Sequence, residues 1–289
     1  MLFAALLSVL PDSGAEPLAW GAVSARPLPP PGQLIAYGPA ASQFGSLRVP
    51  DGDGLPVAVL IHGGCWLAQF DYRYFEHLAH AIHALGFVSW NIEYRRVGEE
   101  GGGWPGTFGD VADAIDHVRA LPGAVRFDLE RVTVIGHSAG GQLALWSASR
   151  DRLPTDHPLH RPDSLLPTQV IGLAPIVDLV DYARGPANSC HGAVHPLMGG
   201  SADVHPERYA AVSPAALLPL AAPAWLLSGD ADSIVPTAHV RRLPSPGRDD
   251  RIELRTVAED GHFEPVLPGT SSWAALRAEL LRVRAADTR

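Results

Sequence analysis

Gly136-His137-Ser138-Ala139-Gly140 is a G-x-S-x-G pentapeptide, and its surroundings give the serine a chemistry. The run Val132-Thr133-Val134-Ile135 leads straight into it, and the small residues Ala139-Gly140-Gly141-Gln142-Leu143-Ala144 lead out. A strand that turns abruptly into a helix exposes the hydroxyl at the turn, and glycines flank it because side chains there would collide. A serine hydroxyl is a weak nucleophile until a base removes its proton. Among 13 histidines, His262 is the candidate base, because Asp260-Gly261-His262-Phe263 follows the last apolar run at what would be the carboxyl end of a strand. An imidazole in that role needs a carboxylate to fix its tautomer and stabilise its cation. Asp230 and Asp232 both qualify in Gly229-Asp230-Ala231-Asp232-Ser233-Ile234-Val235-Pro236. The last requirement is a set of amides aimed at a developing alkoxide, and the glycine-rich loop His62-Gly63-Gly64-Cys65-Trp66 follows another apolar run.

These residues need a scaffold that brings strand ends together. Apolar runs predict strands over residues 57–61, 87–92, 131–135, 170–173, 224–227 and 252–257. Helical spacing predicts helices over 74–85, 108–121, 139–149 and 271–285. Strand–helix alternation of this kind means βαβ crossovers and a mostly parallel sheet flanked by helices, an α/β protein. In such sheets ligands bind beyond the carboxyl ends of the strands. Residues 1–33 read as an N-terminal arm or leader, of which 11–33, proline-rich with Pro29-Pro30-Pro31, read as extended; residues 34–289 read as one domain. Residues 178–210 interrupt the rhythm with Gly, Pro and His, and are expected to form a lid or cap insertion.

Composition removes other chemistries. The chain has 289 residues, 46% hydrophobic, with a formal net charge of −9, as expected of a folded, acidic protein. All 22 basic residues are arginine, so mechanisms built on a lysine are excluded. Net acidity without a basic cluster argues against nucleic acid as a partner. His77, His80 and His83 drift around a helix rather than lining up, so no metal is expected and no cofactor. Cys65 and Cys190, the only cysteines, are expected to be reduced thiols of a cytoplasmic protein, with one long-range bridge as the alternative. Residues 2–10 are nearly all apolar, yet no Lys or Arg precedes them and Pro11-Asp12 follows. A short packed helix or a leader is expected there, with secretion as the alternative; the run is shorter than the ~20 residues of a membrane span.

Taken together, the motifs resemble those of the α/β-hydrolase family, and within it the esterases and lipases with an HGG loop, over roughly residues 34–289. The resemblance rests on the HGG-C-W loop, Glu93-Tyr94-Arg95, Trp104-Pro105 with Asp110, the serine elbow, the G-x-x-D-x-x-V-P stretch and Gly261-His262. It implies the α/β-hydrolase fold and a triad of Ser138, Asp232 and His262, with Asp232 preferred over Asp230 because it occupies the motif's acid position. It also implies an oxyanion hole of the amides of Gly64, Cys65 and Ala139. Many such esterases carry a third glycine where this chain has Cys65; an HGG-x-W loop is more similar to arylformamidases and small carboxylesterases. The activity implied is hydrolysis of small carboxylic esters through an acyl-enzyme. The alternatives are an arylformamidase or amidase using the same triad, and a non-catalytic binding protein of this fold. Trp66, Trp104, Leu197 and Met198 are expected to form an apolar substrate pocket. A homodimer is allowed for, and all-arginine usage with abundant Ala, Gly and Pro fits a GC-rich bacterial source.

Overall fold

The computed structural model describes residues 16–187, 189–243 and 251–285, so the apolar run over 2–10 lies outside the described residues. Eight strands form one sheet: β1 (Gln33–Ala36), β2 (Phe44–Arg48), β3 (Leu55–Ile61), β4 (Val88–Ile92), β5 (Phe127–His137), β6 (Gln169–Leu173), β7 (Ala224–Gly229) and β8 (Ile252–Val257). Their order is β1-β2-β4-β3-β5-β6-β7-β8. The pairs from β4 to β8 run parallel, whereas β1–β2 and β2–β4 are antiparallel. The mostly parallel α/β sheet expected from the alternation is therefore present. The antiparallel edge pair is additional: β1 is largely exposed and carries no apolar alternation to betray it.

Between and around the strands lie α1 (Trp20–Ser24), α2 (Glu76–Ala84), α3 (Gly106–Asp116), α4 (Ala139–Ser147), α5 (Leu179–Tyr182), α6 (Val194–Met198), α7 (Pro206–Val212), α8 (Thr237–Val240) and α9 (Ser271–Ala285). The helix predicted over 74–85 begins as a tight 3-10 turn at Tyr72–Phe75, where the Asp71 side chain accepts the Arg73 amide at 2.9 Å, and becomes α-helical only at Glu76. The one predicted over 108–121 starts at Gly106 and tightens into a 3-10 turn at His117–Ala120.

Every residue of β3 is buried, which is why its sequence is a continuous apolar run rather than an alternation. The pleat still sorts its side chains. Val57, Val59 and Ile61 join Val132 and Val134 and the Phe108, Val111 and Ile115 face of α3. Ala58 and Leu60 point the other way, toward Ile171 and Leu227, where Leu78 and Ile82 of α2 and Leu276 and Leu280 of α9 cover the sheet. Each large aliphatic side chain removed from water in this way contributes about 1.5–3 kcal/mol. With both faces sealed, the strand ends are the places left for function.

Residues 178–210 leave β6 and contain α5, α6 and the start of α7. Val194, Leu197 and Met198 are fully buried in the same core as α3, and the Leu197 carbonyl accepts the Trp104 amide at 2.7 Å. The arm is not purely extended. It forms α1, whose Trp20 meets Phe70 and Tyr74 edge-on at 5.2 and 5.3 Å and lies 5.8 Å from Phe263.

Candidate active site

β5 ends at His137 and α4 begins at Ala139, leaving Ser138 at φ 56°, ψ −118°, a conformation that L side chains rarely adopt. The turn is held by its main chain: the Ser138 amide donates to Leu173 at 2.9 Å, and its carbonyl accepts from Gln142 and Ile176, both at 3.2 Å. Gly140 is required by close approach, because a Cβ there would run into the carbonyl oxygens of Ile61 and His62 at the end of β3. The pentapeptide thus presses α4 against two strand ends and turns the serine outward.

Two loops beyond β7 and β8 supply the next pair. The His262 Nδ1 lies 2.7 Å from Asp232 Oδ2, and Asp232 has no exposed side-chain surface. Its other oxygen, Oδ1, accepts the amides of Ile234 and Val235, both at 2.8 Å. Three donors therefore converge on one buried carboxylate, which orients the ring with Nε2 on the side away from Asp232. Asp230 faces elsewhere, accepting the exposed Glu259 amide at 2.7 Å. Ser138 and His262, 2% and 6% exposed, both open onto a cavity of about 530 Å³.

The HGG loop forms another wall. Gly64, Cys65 and Trp66 all take positive φ angles of 96°, 55° and 57°, a run that curls the chain around the end of β3. Gly63 presses on the elbow, where a Cβ would meet the His137 carbonyl and the Tyr74 hydroxyl, and its amide donates to Tyr74. Gly64 and Cys65, next along, line the cavity. His62 is fixed from behind. Its Nε2 lies 2.8 Å from Glu93 Oε1, and its ring stacks on Tyr94 at 4.5 Å, whose hydroxyl donates to the His62 carbonyl at 2.9 Å. Glu93 is itself held by Arg96 at 3.1 Å. Arg95 grips Asp110 through Nε at 2.8 Å and Nη2 at 2.7 Å, and Asp110 also accepts from Gln43 at 2.7 Å. Glu93 and Tyr94 thus hold the loop from behind, and Arg95 and Asp110, next along the motif, hold each other.

Two expectations are corrected. Cys65 and Cys190 are bonded to each other, with Cα atoms 5.0 Å apart across 125 residues of sequence. The bridge ties the HGG loop to the segment 178–210; spacing alone could not reveal it, because pairing depends on where the chain returns. The expected pocket residues do not line the cavity. Trp66 is fully buried and donates to Gln142 Oε1 at 3.2 Å. Trp104 packs on Phe108 at 5.6 Å and lies beneath the Arg208 guanidinium at 5.7 Å. Leu197 and Met198 belong to the core. Trp66, Leu197 and Met198 are apolar residues claimed by the interior, the commoner fate of such side chains, and the half-buried Trp104 packs against it. The walls come instead from Leu18 and Trp20 of the arm, Phe70, Ile234 and Phe263. Phe70 and Phe263 were within reach of sequence reasoning, being close to the HGG loop and next to His262. The arm was not, since its placement depends on Glu264, whose carboxylate accepts the Leu18 amide at 2.5 Å and the Gly261 amide at 2.9 Å. Among the described residues, no Asp, Glu or Arg lines this cavity.

A family model described as BD-FAE matches residues 48–245. The chain is 27% identical over 237 residues to the esterase LipQ of Mycobacterium tuberculosis, an alignment covering 78% of this chain and 54% of that protein. It therefore spans about half the length of this curated relative. Among solved structures, a truncated carbohydrate esterase from gut microbiota superimposes with a TM-score of 0.73 at 18% identity, over 89% of this chain and 96% of that one. The propionate-bound thermophilic esterase of the Planctomycetes species Thermogutta terrifontis gives 0.66 at 20% identity, over 88% and 93%. At such identities the likeness is one of fold.

Proposed function

The chain belongs to the BD-FAE family, and on that premise we propose that it is a serine esterase cleaving small, uncharged carboxylic esters. The observation that carries this reading is the buried Asp232–His262 pair, 2.7 Å apart, opening with Ser138 onto one apolar cavity. In the proposed cycle His262 Nε2 takes the Ser138 hydroxyl proton as Oγ attacks the ester carbonyl, and Asp232 stabilises the imidazolium. The amides of Gly64, Cys65 and Ala139 receive the oxyanion; each such donor is worth about 2.7–4 kcal/mol. The imidazolium then protonates the departing alkoxide, leaving an acyl-serine. A water, deprotonated by the same imidazole, attacks the acyl carbon, and the acid leaves with Ser138 restored. Cys65 contributes only its amide, since its sulfur is bonded to Cys190.

Aromatic and aliphatic walls without Asp, Glu or Arg among the described lining residues support a neutral ester. The propionate bound by the Thermogutta esterase supports a short acyl group. The same walls and the HGG-x-W loop favour an arylformamide as the second reading. The test is hydrolysis of p-nitrophenyl acetate and butyrate beside N-formylkynurenine. Ester turnover supports the esterase; formamide cleavage alone selects the second reading, and no turnover of either leaves a binding protein. In the same assay Trp20→Ala should raise KM for the butyrate ester roughly tenfold, with kcat within about threefold, as loss of one apolar wall contact implies. An unchanged KM would remove Trp20 from the substrate wall.

No helix among the described residues is long and apolar enough to cross a membrane. We infer that the Cys65–Cys190 bond moves the expected location from the cytoplasm to an oxidising compartment, because cytosolic thiol buffers keep such pairs reduced. Thiol titration of the native, unreduced protein should find no free cysteine. Two titrating thiols would restore the cytoplasm.

A further inference from the structure

His137, which precedes the nucleophile, has no part in the proposed cycle, yet both its ring nitrogens are engaged in the interior. Nε2 lies 2.9 Å from the main-chain oxygen of His262, and Nδ1 lies 3.3 Å from the Tyr74 hydroxyl. A carbonyl can only accept, so Nε2 carries a hydrogen. Burial first, and the neighbouring His262 second, hold the imidazole well below the usual histidine range against the opposing effect of the bond to the His262 carbonyl, so the ring is neutral. Nδ1 is then an acceptor, and Tyr74 must donate to it. The phenol is able to donate, because burial pushes Tyr74 far above the usual tyrosine range, against the opposing effect of the Gly63 amide. Its oxygen, in turn, accepts that amide. The direction of all three bonds is thereby determined: Gly63 N–H to Tyr74, Tyr74 O–H to His137 Nδ1, His137 Nε2–H to the His262 carbonyl.

We propose that Tyr74 and His137 are positioning residues, a relay that holds the oxyanion loop, the serine elbow and the His262 loop in mutual register. The proposal rests on the serine-esterase reading and deepens it. Each bond ends beside a reacting group. Gly63 directly precedes Gly64 and Cys65, His137 directly precedes Ser138, and the final acceptor is the main chain of His262 itself. The links span 11, 63 and 125 residues of sequence, so they join three loops that leave different strands of the sheet. A loop displaced by about 1 Å from productive geometry can cost on the order of 100-fold in rate.

Tyr74→Phe preserves the ring and deletes the hydroxyl, leaving the Gly63 amide and His137 Nδ1 without their partner. With sites counted by fluorophosphonate titration, kcat per site should fall about 10- to 100-fold, while KM stays within about threefold. His137→Gln retains an amide donor toward the His262 carbonyl but loses the Nδ1 acceptor, and should act in the same direction. The double variant should be no worse than the more damaged single one, because both break the same relay. A merely structural role would lower the melting temperature and the count of active sites, with kcat per site unchanged. A Tyr74→Phe kcat per site within twofold of the parent would overturn the proposal, as would strictly additive effects. Independently of activity, 15N NMR of the unmodified protein should find His137 neutral with the proton on Nε2; a proton on Nδ1 refutes the relay. A parent that neither turns over esters nor reacts with fluorophosphonate refutes the esterase reading instead, while the NMR result still decides the relay.

Discussion

Ser138→Ala is expected to lower kcat for p-nitrophenyl butyrate by about 10⁶-fold, the scale on which a triad nucleophile acts. Its thermal melting should barely move. The main-chain bonds that hold the turn, to Leu173, Gln142 and Ile176, survive the substitution. Ser138 already occupies φ 56° with a Cβ, so alanine adds no strain that serine does not carry. What vanishes is one oxygen on the cavity wall, along with covalent labelling by fluorophosphonates. Steady-state kinetics with a circular-dichroism melt would check both halves. Turnover within about 100-fold of the parent would remove Ser138 from the role of nucleophile, since background catalysis in such sites lies far lower.

Asp232→Asn should lower kcat by about 10⁴-fold, whereas Asp230→Asn should change it by less than about threefold. The asparagine is nearly isosteric, and its amide oxygen still serves the Ile234 and Val235 amides that now bond Oδ1. Its NH₂ group then faces His262 Nδ1, where a donor already sits. The ring must flip its proton to Nε2, the nitrogen that has to accept from Ser138. The fold persists while the base is presented in the wrong tautomer, so the deficit should lie in kcat rather than in stability. The Asp230 side chain bonds only the exposed Glu259 amide among the contacts described, and the amide oxygen of an asparagine can accept that bond too. If Asp230→Asn proves the more damaging, the acid has been misassigned.

Much of the fold was legible because it is written in neighbouring residues. β3 and β7 are buried along their whole length and read as apolar runs, as strands sealed on both faces must, and β8 and α9 fall where the sequence pattern puts them. The α/β-hydrolase fold followed from strand–helix alternation and the motifs together. The edge strand β1 was not legible: it is mostly exposed and pairs on one side only, so nothing in its side chains had to be apolar. Reading α1 as part of an extended arm failed for a related reason. Trp20 is held by Phe70, Tyr74 and Phe263, rings that lie 50 or more positions away in sequence.

The candidate site divides along the same line. By itself the sequence determined which residues are the candidates for the chemistry, since a strand–Gly-x-Ser-x-Gly–helix turn, a Gly-His after the last strand and an HGG loop are each encoded within a few adjacent positions. Resemblance also selected Asp232, and the structure sets that carboxylate, not Asp230, against His262. Only the tertiary structure decided what surrounds them. Cys65 found Cys190, the Leu18 amide found Glu264, and Trp66, Trp104, Leu197 and Met198 turned from the cavity into the core or its margin. An apolar side chain carries no local mark of whether it will face a substrate or a neighbouring helix, because either burial removes the same surface from water. Chain geometry over a hundred or more residues makes that choice, and short patterns do not encode it.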